Sequence, residues 1–202
     1  MKQLFFILLI IATSIGVRAQ HAEFAERLEA ASEVNRTITA RFVQTKKVKG
    51  IRQPIRSEGD FYYDNRGKIL LRYDQPEGDH VMIKGENISI VMNGKRLDSR
   101  AASNPMMKQI ANMIKASMTG DIALLGRGWE TEITDEKGNY CITINPTSRR
   151  TKRYASAMTM LFNTTDMTLE QLRMEAPDGS YTQYEFVNKK INAPIDPATF
   201  EE

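Results

Sequence analysis

Residues 59–76 constrain the fold of this chain most strongly, because apolar and charged side chains alternate along them. The odd positions carry Phe61, Tyr63, Ile69, Leu71 and Tyr73, and the even positions carry Asp60, Asp64, Arg66, Lys68, Arg72 and Asp74, with Tyr62 and Leu70 as the exceptions. Asn65, Arg66 and Gly67 have the composition of a tight turn. Because successive side chains of a strand point to opposite faces, the segment predicts a β-hairpin with one apolar face.

Further β-strands are predicted on both sides of this hairpin, and the one before it runs from Thr39 to Thr45. Val81 and Ile83 indicate a third strand, and Ile88, Ile90 and Met92 indicate a fourth that ends at Asn93 and Gly94. Later strands are predicted at 129–134, 140–144, 154–162, 169–175 and 181–187, and the tail 191–200 is predicted to be irregular. About ten short strands joined by turns predict an antiparallel sandwich or barrel, not a βαβ array.

Two segments have helical spacing instead. In residues 21–38, Phe24, Leu28, Ala31, Val34 and Ile38 recur every three or four positions, which predicts one amphipathic helix. Residues 99–120 carry Met106, Ile110, Met113, Ile114 and Ser117 at the same spacing. Methionine adapts to variable apolar shapes, so this second helix fits either a ligand surface or an ordinary core. About ten strands and two helices predict a β protein that encloses a hydrophobic ligand.

The first nineteen residues have the form of a secretory signal peptide. Lys2 precedes an apolar run over 4–11, and Val17 and Ala19 stand at the −3 and −1 positions of a cleavage site near Ala19. Eight apolar residues are fewer than the roughly 20 that a spanning helix needs. We therefore expect an exported protein with one domain over 20–202. That domain has 26 basic and 25 acidic residues, a net charge of +1, which does not favour nucleic acid.

The residues for enzymatic or metal chemistry are scarce. The chain has one cysteine and two histidines, and it lacks the nucleophile-elbow, zinc-protease, phosphate-loop and dinucleotide motifs. Cys141 lies in a predicted strand, which indicates a buried, inert thiol, and His80 is predicted to lie at the surface beside Asp79. We therefore predict no enzymatic activity, no catalytic residue, no metal and no cofactor.

Several segments, taken in order, resemble the periplasmic outer-membrane lipoprotein carriers, the LolA family. These are Arg-Phe-Val-Gln-Thr at 41–45, Gly-Asp-Phe-Tyr-Tyr at 59–63, Ile-Leu-Leu-Arg-Tyr-Asp-Gln-Pro at 69–76, Lys-Gly at 84–85, and Phe200 after Ile195 and Asp196. The resemblance implies an unclosed antiparallel β-barrel whose helices form a lid over an apolar cavity. It also implies a carrier that takes acylated lipoproteins from an ATP-driven release complex of the inner membrane; the outer-membrane acceptor is left open, and we expect a monomer.

The resemblance also indicates which residues contact the acyl chains. The predicted cavity residues are Phe42, Phe61, Tyr63, Ile69, Leu71, Tyr73, Ile90, Met92, Met106, Ile110 and Met113, with Asp60, Lys68 and Arg72 facing outward. Family members have an Arg-Pro pair in the hairpin turn, and its arginine helps to hold the lid closed. The matching arginine here is Arg66, displaced by one position and without the proline. Arg66 is therefore the candidate for a lid latch.

Other interpretations stay open at this point. A lipid shuttle or an envelope-stress sensor on the same scaffold would share the apolar cavity, although we expect a regulator to need a further domain. An enzyme acting on envelope lipids is disfavoured because no nucleophile–base pair is apparent. Two basic clusters fit a solvated surface, an acidic partner or anionic headgroups. The first basic cluster is Lys46, Lys47, Lys49, Arg52 and Arg56, and the second is Arg149, Arg150, Lys152 and Arg153.

Overall fold

The computed structural model describes residues 22–96, 112, 114–116, 118, 128–136, 138–153 and 155–201. Helix α1 spans 22–34, and residues 112, 114–116 and 118 are also helical. The strands are β1 (Thr37–Lys47), β2 (Ile55–Asp64), β3 (Lys68–Tyr73), β4 (His80–Lys84), β5 (Asn87–Met92), β6 (Lys95–Arg96), β7 (Trp129–Glu136), β8 (Asn139–Pro146), β9 (Ala157–Asn163), β10 (Leu169–Glu175) and β11 (Tyr181–Ile191). Short 3₁₀ helices follow at Thr151–Arg153 and Pro197–Phe200.

All eleven strands belong to one sheet, in the order β6-β5-β4-β3-β2-β1-β11-β10-β9-β8-β7. Each neighbouring pair is antiparallel, and β6 and β7 are its edges, so the described strands form an unclosed sheet. The prediction of a mainly β, unclosed antiparallel fold is confirmed. The additional strand is β6, whose two residues carry no alternating pattern that the sequence could reveal.

The apolar face of the predicted hairpin continues across neighbouring strands. Phe61 pairs with Leu71, Leu71 with Val81, and Val81 with Ile90, so one row of buried side chains crosses four strands. We call this side of the sheet the inner face. The register also aligns Phe42 with Gly59. A Cβ atom at position 59 would overlap the Arg72 carbonyl oxygen and lie 2.7 Å from the Phe42 ring. Only glycine fits at that position.

Tyr62 and Leu70, the two exceptions to the alternation, belong to a separate cluster on the opposite, outer face. Leu70 is buried there with Met82 and Phe200, and Tyr62 and Ile195 pack against them. The C-terminal tail covers this cluster, and Arg72 Nη2 donates a hydrogen bond of 3.2 Å to the Thr199 carbonyl oxygen. The tail is therefore irregular over much of its length but ends in the 3₁₀ helix Pro197–Phe200.

The prediction of one helix over 21–38 is wrong at its end. Helix α1 ends at residue 34, Val34 is 64% exposed, and Ile38 is buried in β1. The side chain of Asn192 binds the chain at this point: its Nδ2 donates to the Val34 carbonyl oxygen and its Oδ1 accepts from the Arg36 N–H. Ile38 follows Val34 by four residues, but it occupies an inner position of β1 instead of a further helical turn.

The prediction that His80 lies at the surface is also wrong. His80 and Asp79 are both buried, and Asp79 accepts hydrogen bonds from the backbone N–H groups of Asn93 (2.7 Å) and Gly94 (3.0 Å). This carboxylate fixes the turn between β5 and β6. The buried state predicted for Cys141 is confirmed, and burial raises the pKa of its thiol. Within the described ranges we find no helix of the length and apolarity that a membrane span requires.

Candidate functional site: the inner face and its covering helix

The inner face of the sheet is a continuous apolar surface. Phe61 contacts Phe186 with ring centroids 4.9 Å apart, and Phe42 contacts Tyr73 at 5.1 Å. Strands β8, β9 and β10 add buried residues to the same core, among them Ile142, Ile144, Met158, Met160, Phe162 and Leu172. This surface has the chemistry of a binding wall for a hydrocarbon chain.

Helix α1 covers part of the inner face. Its Phe24 packs edge-on against both Tyr140 and Phe162, with ring centroids 5.3 Å away in each case. Leu28 lies one turn further along the helix and is also buried. The helix therefore places two large apolar side chains on the inner face beside β8 and β9, in the same core as the predicted cavity residues of β1–β5.

The second helical segment also packs on this surface. Ile114, Ala116 and Met118 are buried within the same hydrophobic core as Phe24 and Leu28. The Tyr63 hydroxyl donates a hydrogen bond of 3.4 Å to the Met118 carbonyl oxygen, which joins this segment to β2. Met106, Ile110 and Met113, which we predicted as cavity residues, lie outside the described residues.

The cavities that described residues enclose between the helices and the sheet are small. Two cavities are lined entirely by described residues, one by Phe24, Ile142 and Met160 among others, and one by Leu28, Met118 and Leu169 among others. Each has a volume of about 10 Å³, enough for about one water molecule, whereas ligand pockets measure about 300–1,000 Å³. At these two places the helices fill the inner face, so a hydrocarbon chain could enter only if they moved.

A polar anchor holds α1 in this position, and we did not predict it from the sequence. Arg27 Nη1 donates to the Tyr140 hydroxyl at 2.9 Å, Arg27 Nη2 donates to the Thr164 carbonyl oxygen, and the guanidinium lies 5.5 Å from the Tyr140 ring centroid. Glu23, one turn earlier, accepts from the Tyr140 hydroxyl at 3.2 Å. Arg27 follows Phe24 by three residues and precedes Ala31 by four, so it is a charged residue within the predicted apolar face of the helix. Only the partners that β8 and the turn 163–168 bring close reveal its role.

Three polar side chains lie at one end of the apolar surface. Gln44 Nε2 donates to the hydroxyls of Tyr184 (2.5 Å) and Tyr73 (3.1 Å), and these two hydroxyl oxygens are 3.3 Å apart. Burial raises the pKa of both tyrosines, so they stay neutral. The inner face is thus apolar along most of its length and has hydrogen-bonding groups at this end.

The structure brings most of the predicted cavity residues together. Phe42, Phe61, Tyr63, Ile69, Leu71, Tyr73 and Ile90 are buried in the inner-face core, and Met92 is partly buried against it. The outward facing of Lys68 and Arg72 agrees with the prediction, since Lys68 lies 5.4 Å from the Phe200 ring of the outer cluster and Arg72 binds Thr199. Asp60 points to the same side and accepts from Arg41 Nη1 at 2.9 Å. Acyl binding by these residues stays a prediction.

Arg66, the candidate latch, lies in the turn between β2 and β3. Its side chain is 73% exposed and forms a salt bridge with Asp64, whose side chain is only 4% exposed. The Arg66 Nε atom lies 2.9 Å from Asp64 Oδ1, and the Arg66 backbone N–H donates to the same oxygen. Among the described residues, Asp64 is its only side-chain partner. Its role as a latch stays a prediction, whereas its pairing with a buried carboxylate is observed.

This pair predicts a pH dependence of stability. The hydrogen bond from Arg66 lowers the pKa of Asp64, so the pair stabilises the fold above the unfolded pKa of about 3.9 and loses this effect as pH falls through the lower folded value. We expect Arg66→Ala to reduce the free energy of unfolding at neutral pH. We also expect this free energy to fall by a smaller amount on acidification than it does in the wild type. Urea denaturation at several pH values measures both effects. Arg36→Ala is the control. If that variant also lost less unfolding free energy on acidification, to the same extent, the prediction would be contradicted.

The profile of the family described as outer membrane lipoprotein carrier protein LolA matches residues 33–202. The chain belongs to the LolA family. The family is one of carriers, not of enzymes. A search of curated protein sequences found no match.

Similar solved structures agree with this fold. A structure of MucB is 11% identical with a TM-score of 0.57, covering 91% of this chain and 63% of that one. The MucA/MucB complex of Pseudomonas aeruginosa is 11% identical with a TM-score of 0.55, covering 89% and 61%. A conserved protein of Thermus thermophilus is 10% identical with a TM-score of 0.50, covering 90% and 92%. The chain thus spans about three fifths of the MucB chains, and these likenesses concern the fold alone.

Proposed function

We propose that this LolA-family protein is a periplasmic carrier that holds the acyl chains of lipoproteins on its inner face and moves them from the inner to the outer membrane. The observation that carries the proposal is the apolar inner face, which is covered by a separate helix and not by further strands of the sheet. The donor is an ATP-driven release complex, and the signal peptide is removed near Ala19 on export.

The exchange of helix for lipid is favourable on energetic grounds. Burial stabilises each methylene by about 0.8 kcal/mol, so a chain of about fourteen to sixteen carbons gains roughly 11–13 kcal/mol. Displacing Phe24 and Leu28 exposes two side chains, at a cost of about 1.5–3 kcal/mol each. Even after the cost of ordering the chain, the acyl group competes well for the inner face. A closed helix meanwhile protects that face from water and aggregation when no cargo is bound.

The molecules that co-purify with the protein test this function. The exported protein is isolated from the periplasm and its bound species are identified by native mass spectrometry. Intact acylated lipoproteins are expected. Free phospholipid or glycolipid would favour a lipid shuttle, and the absence of any bound lipid, together with a stable protein partner, would favour a sensor. Either result would contradict the carrier function.

Leu71 and Leu70 provide a matched pair for the inner face. They are adjacent leucines of β3, both are fully buried, and they point to the inner and outer clusters respectively. A polar group at Leu71 would be desolvated by the bound chain at a cost of about 1–3 kcal/mol, so Leu71→Gln should weaken binding of a fluorescent acyl probe at least about fivefold. Leu70→Gln should lower the free energy of unfolding comparably but leave the probe Kd unchanged. Equal Kd values in the two variants would contradict acyl binding on the inner face.

A further inference from the structure

The two basic clusters lie at the same end of the sheet, although about 100 residues separate them in the chain. Lys47 at the end of β1 pairs with Tyr181 at the start of β11, and Tyr181 pairs with Glu175 at the end of β10. Glu175 pairs in turn with Ala157 at the start of β9, which β8 precedes. The loops 48–54 and 147–156 therefore leave the sheet on the same side. We call this side the basic end.

The charge at the basic end is high for a chain with a net charge near +1. All nine cations of the two clusters belong to residues that are exposed, and among the described residues only Arg56 forms a salt bridge, with Glu58. Glu58, Glu175 and Asp178 lie among them, and Asp74 and Glu77 lie at the same end in the loop between β3 and β4. Glu175 is paired with Arg173, and Asp74 is paired with Arg41. Four strand spacings separate the centres of the two loops, which is roughly 19 Å along the sheet. The basic end is thus a broad cationic surface.

Exposed apolar side chains accompany this charge. Ile51 in the loop 48–54 is 47% exposed and Ile55 at the start of β2 is 50% exposed, and they are two of the four large hydrophobic side chains found exposed among the described residues. Arg52 lies between them, and Lys49 and Arg56 flank them. Isoleucine next to lysine and arginine suits a bilayer surface, where apolar groups enter the boundary of the acyl region while cations stay at the phosphates.

We propose that the basic end docks on the surface of an anionic phospholipid bilayer, with Ile51 of the loop 48–54 and Ile55 at the start of β2 inserting at the headgroup level. A bilayer fits better than an acidic protein because the cations are spread across a wide end on long, exposed side chains and surround exposed isoleucines. Fluid anionic headgroups can adapt to widely spread cations, whereas a folded protein would need acidic side chains at matching positions. This docking does not depend on acyl binding by the inner face.

Vesicle co-sedimentation of the full exported protein tests the proposal. The wild type should bind vesicles of phosphatidylcholine mixed with phosphatidylglycerol, bind vesicles of phosphatidylcholine alone much more weakly, and dissociate as salt is raised. Each cation near an anionic surface contributes about a fivefold gain in partitioning, so Lys49→Glu combined with Arg52→Glu should reduce binding at least about 25-fold. Ile51→Ser combined with Ile55→Ser should weaken binding but keep its salt dependence.

The control makes the same change of charge elsewhere. Arg36→Glu combined with Lys190→Glu alters exposed cations at the opposite end of the sheet and should bind anionic vesicles nearly as the wild type does. Acyl-probe affinity in solution should be unchanged in every variant, so a failure of the carrier function would be recognised separately. A wild type that does not bind anionic vesicles would overturn the proposal and leave an acidic protein as the partner. Equal losses in the control and in Lys49→Glu/Arg52→Glu would overturn it as well.

Discussion

A covalent link between helix α1 and the turn 163–168 is expected to abolish acyl binding. Arg27 already reaches the Thr164 carbonyl oxygen, so cysteines at positions 27 and 164, in a Cys141→Ala background, can be joined by a short cleavable bis-maleimide. Because Phe24 and Leu28 then stay on the inner face, no acyl chain can replace them. Titration with a fluorescent acyl probe should detect no binding to the linked protein and full binding after the linker is cleaved.

The control for this experiment is the same double-cysteine protein treated with a monofunctional maleimide, which modifies both thiols but leaves the helix free. It should bind the probe at least as well as the wild type, since the anchor between Arg27 and Tyr140 has been removed. Undiminished binding in the linked protein would mean that acyl chains bind elsewhere.

Phe24→Ala is expected to have the opposite effect and to tighten acyl binding. Truncating a buried phenylalanine costs about 3–5 kcal/mol, and here the loss falls on the closed form, in which Phe24 packs against Tyr140 and Phe162. The form with α1 displaced, which can bind the acyl chain, becomes more populated, and this lowers the apparent Kd of the probe. We expect the Kd to decrease by up to about a hundredfold. Titration with the same acyl probe measures this change.

Phe200→Ala is the matched control for Phe24→Ala. Phe200 is equally buried but belongs to the outer cluster with Leu70 and Met82, on the face away from the proposed lipid. It should lower the free energy of unfolding in urea to a similar extent and leave the probe Kd unchanged. Weaker acyl binding by Phe24→Ala would contradict competition between the helix and the lipid.

The antiparallel sheet could be predicted from the sequence because each strand carries its own alternating pattern. The buried row from Phe61 through Leu71 to Ile90 could be predicted because apolar residues alternate along each of these strands. No contact with a distant residue was needed for that prediction. The end of α1 could not be predicted, since Ile38 satisfies both a helical spacing and an inner strand position. Asn192, about 160 residues later, is among the contacts that end the helix.

The candidate site divides in the same way. The apolar residues of the inner face follow from local patterns. The anchor of α1 does not, because the role of Arg27, a charged residue within the apolar face of the helix, depends on Tyr140 and Thr164. His80 is predicted at the surface, yet it is buried beside Asp79, whose carboxylate accepts hydrogen bonds from the turn at 93–94. The common position of the two basic clusters likewise depends on the strand order, which no local pattern specifies.

The central claim is that an acyl chain and helix α1 compete for one surface, and a distance measured by paired spin labels tests it most directly. Labels are placed at Glu29→Cys on α1 and Val187→Cys on the outer side of β11, both exposed positions, in a Cys141→Ala background. A second pair, Glu58→Cys and Val187→Cys, lies within the sheet and serves as the reference. On addition of a triacylated lipopeptide, we expect a longer and broader distance for the first pair and no change in the reference pair. Saturating lipopeptide binding with both distances unchanged would contradict it.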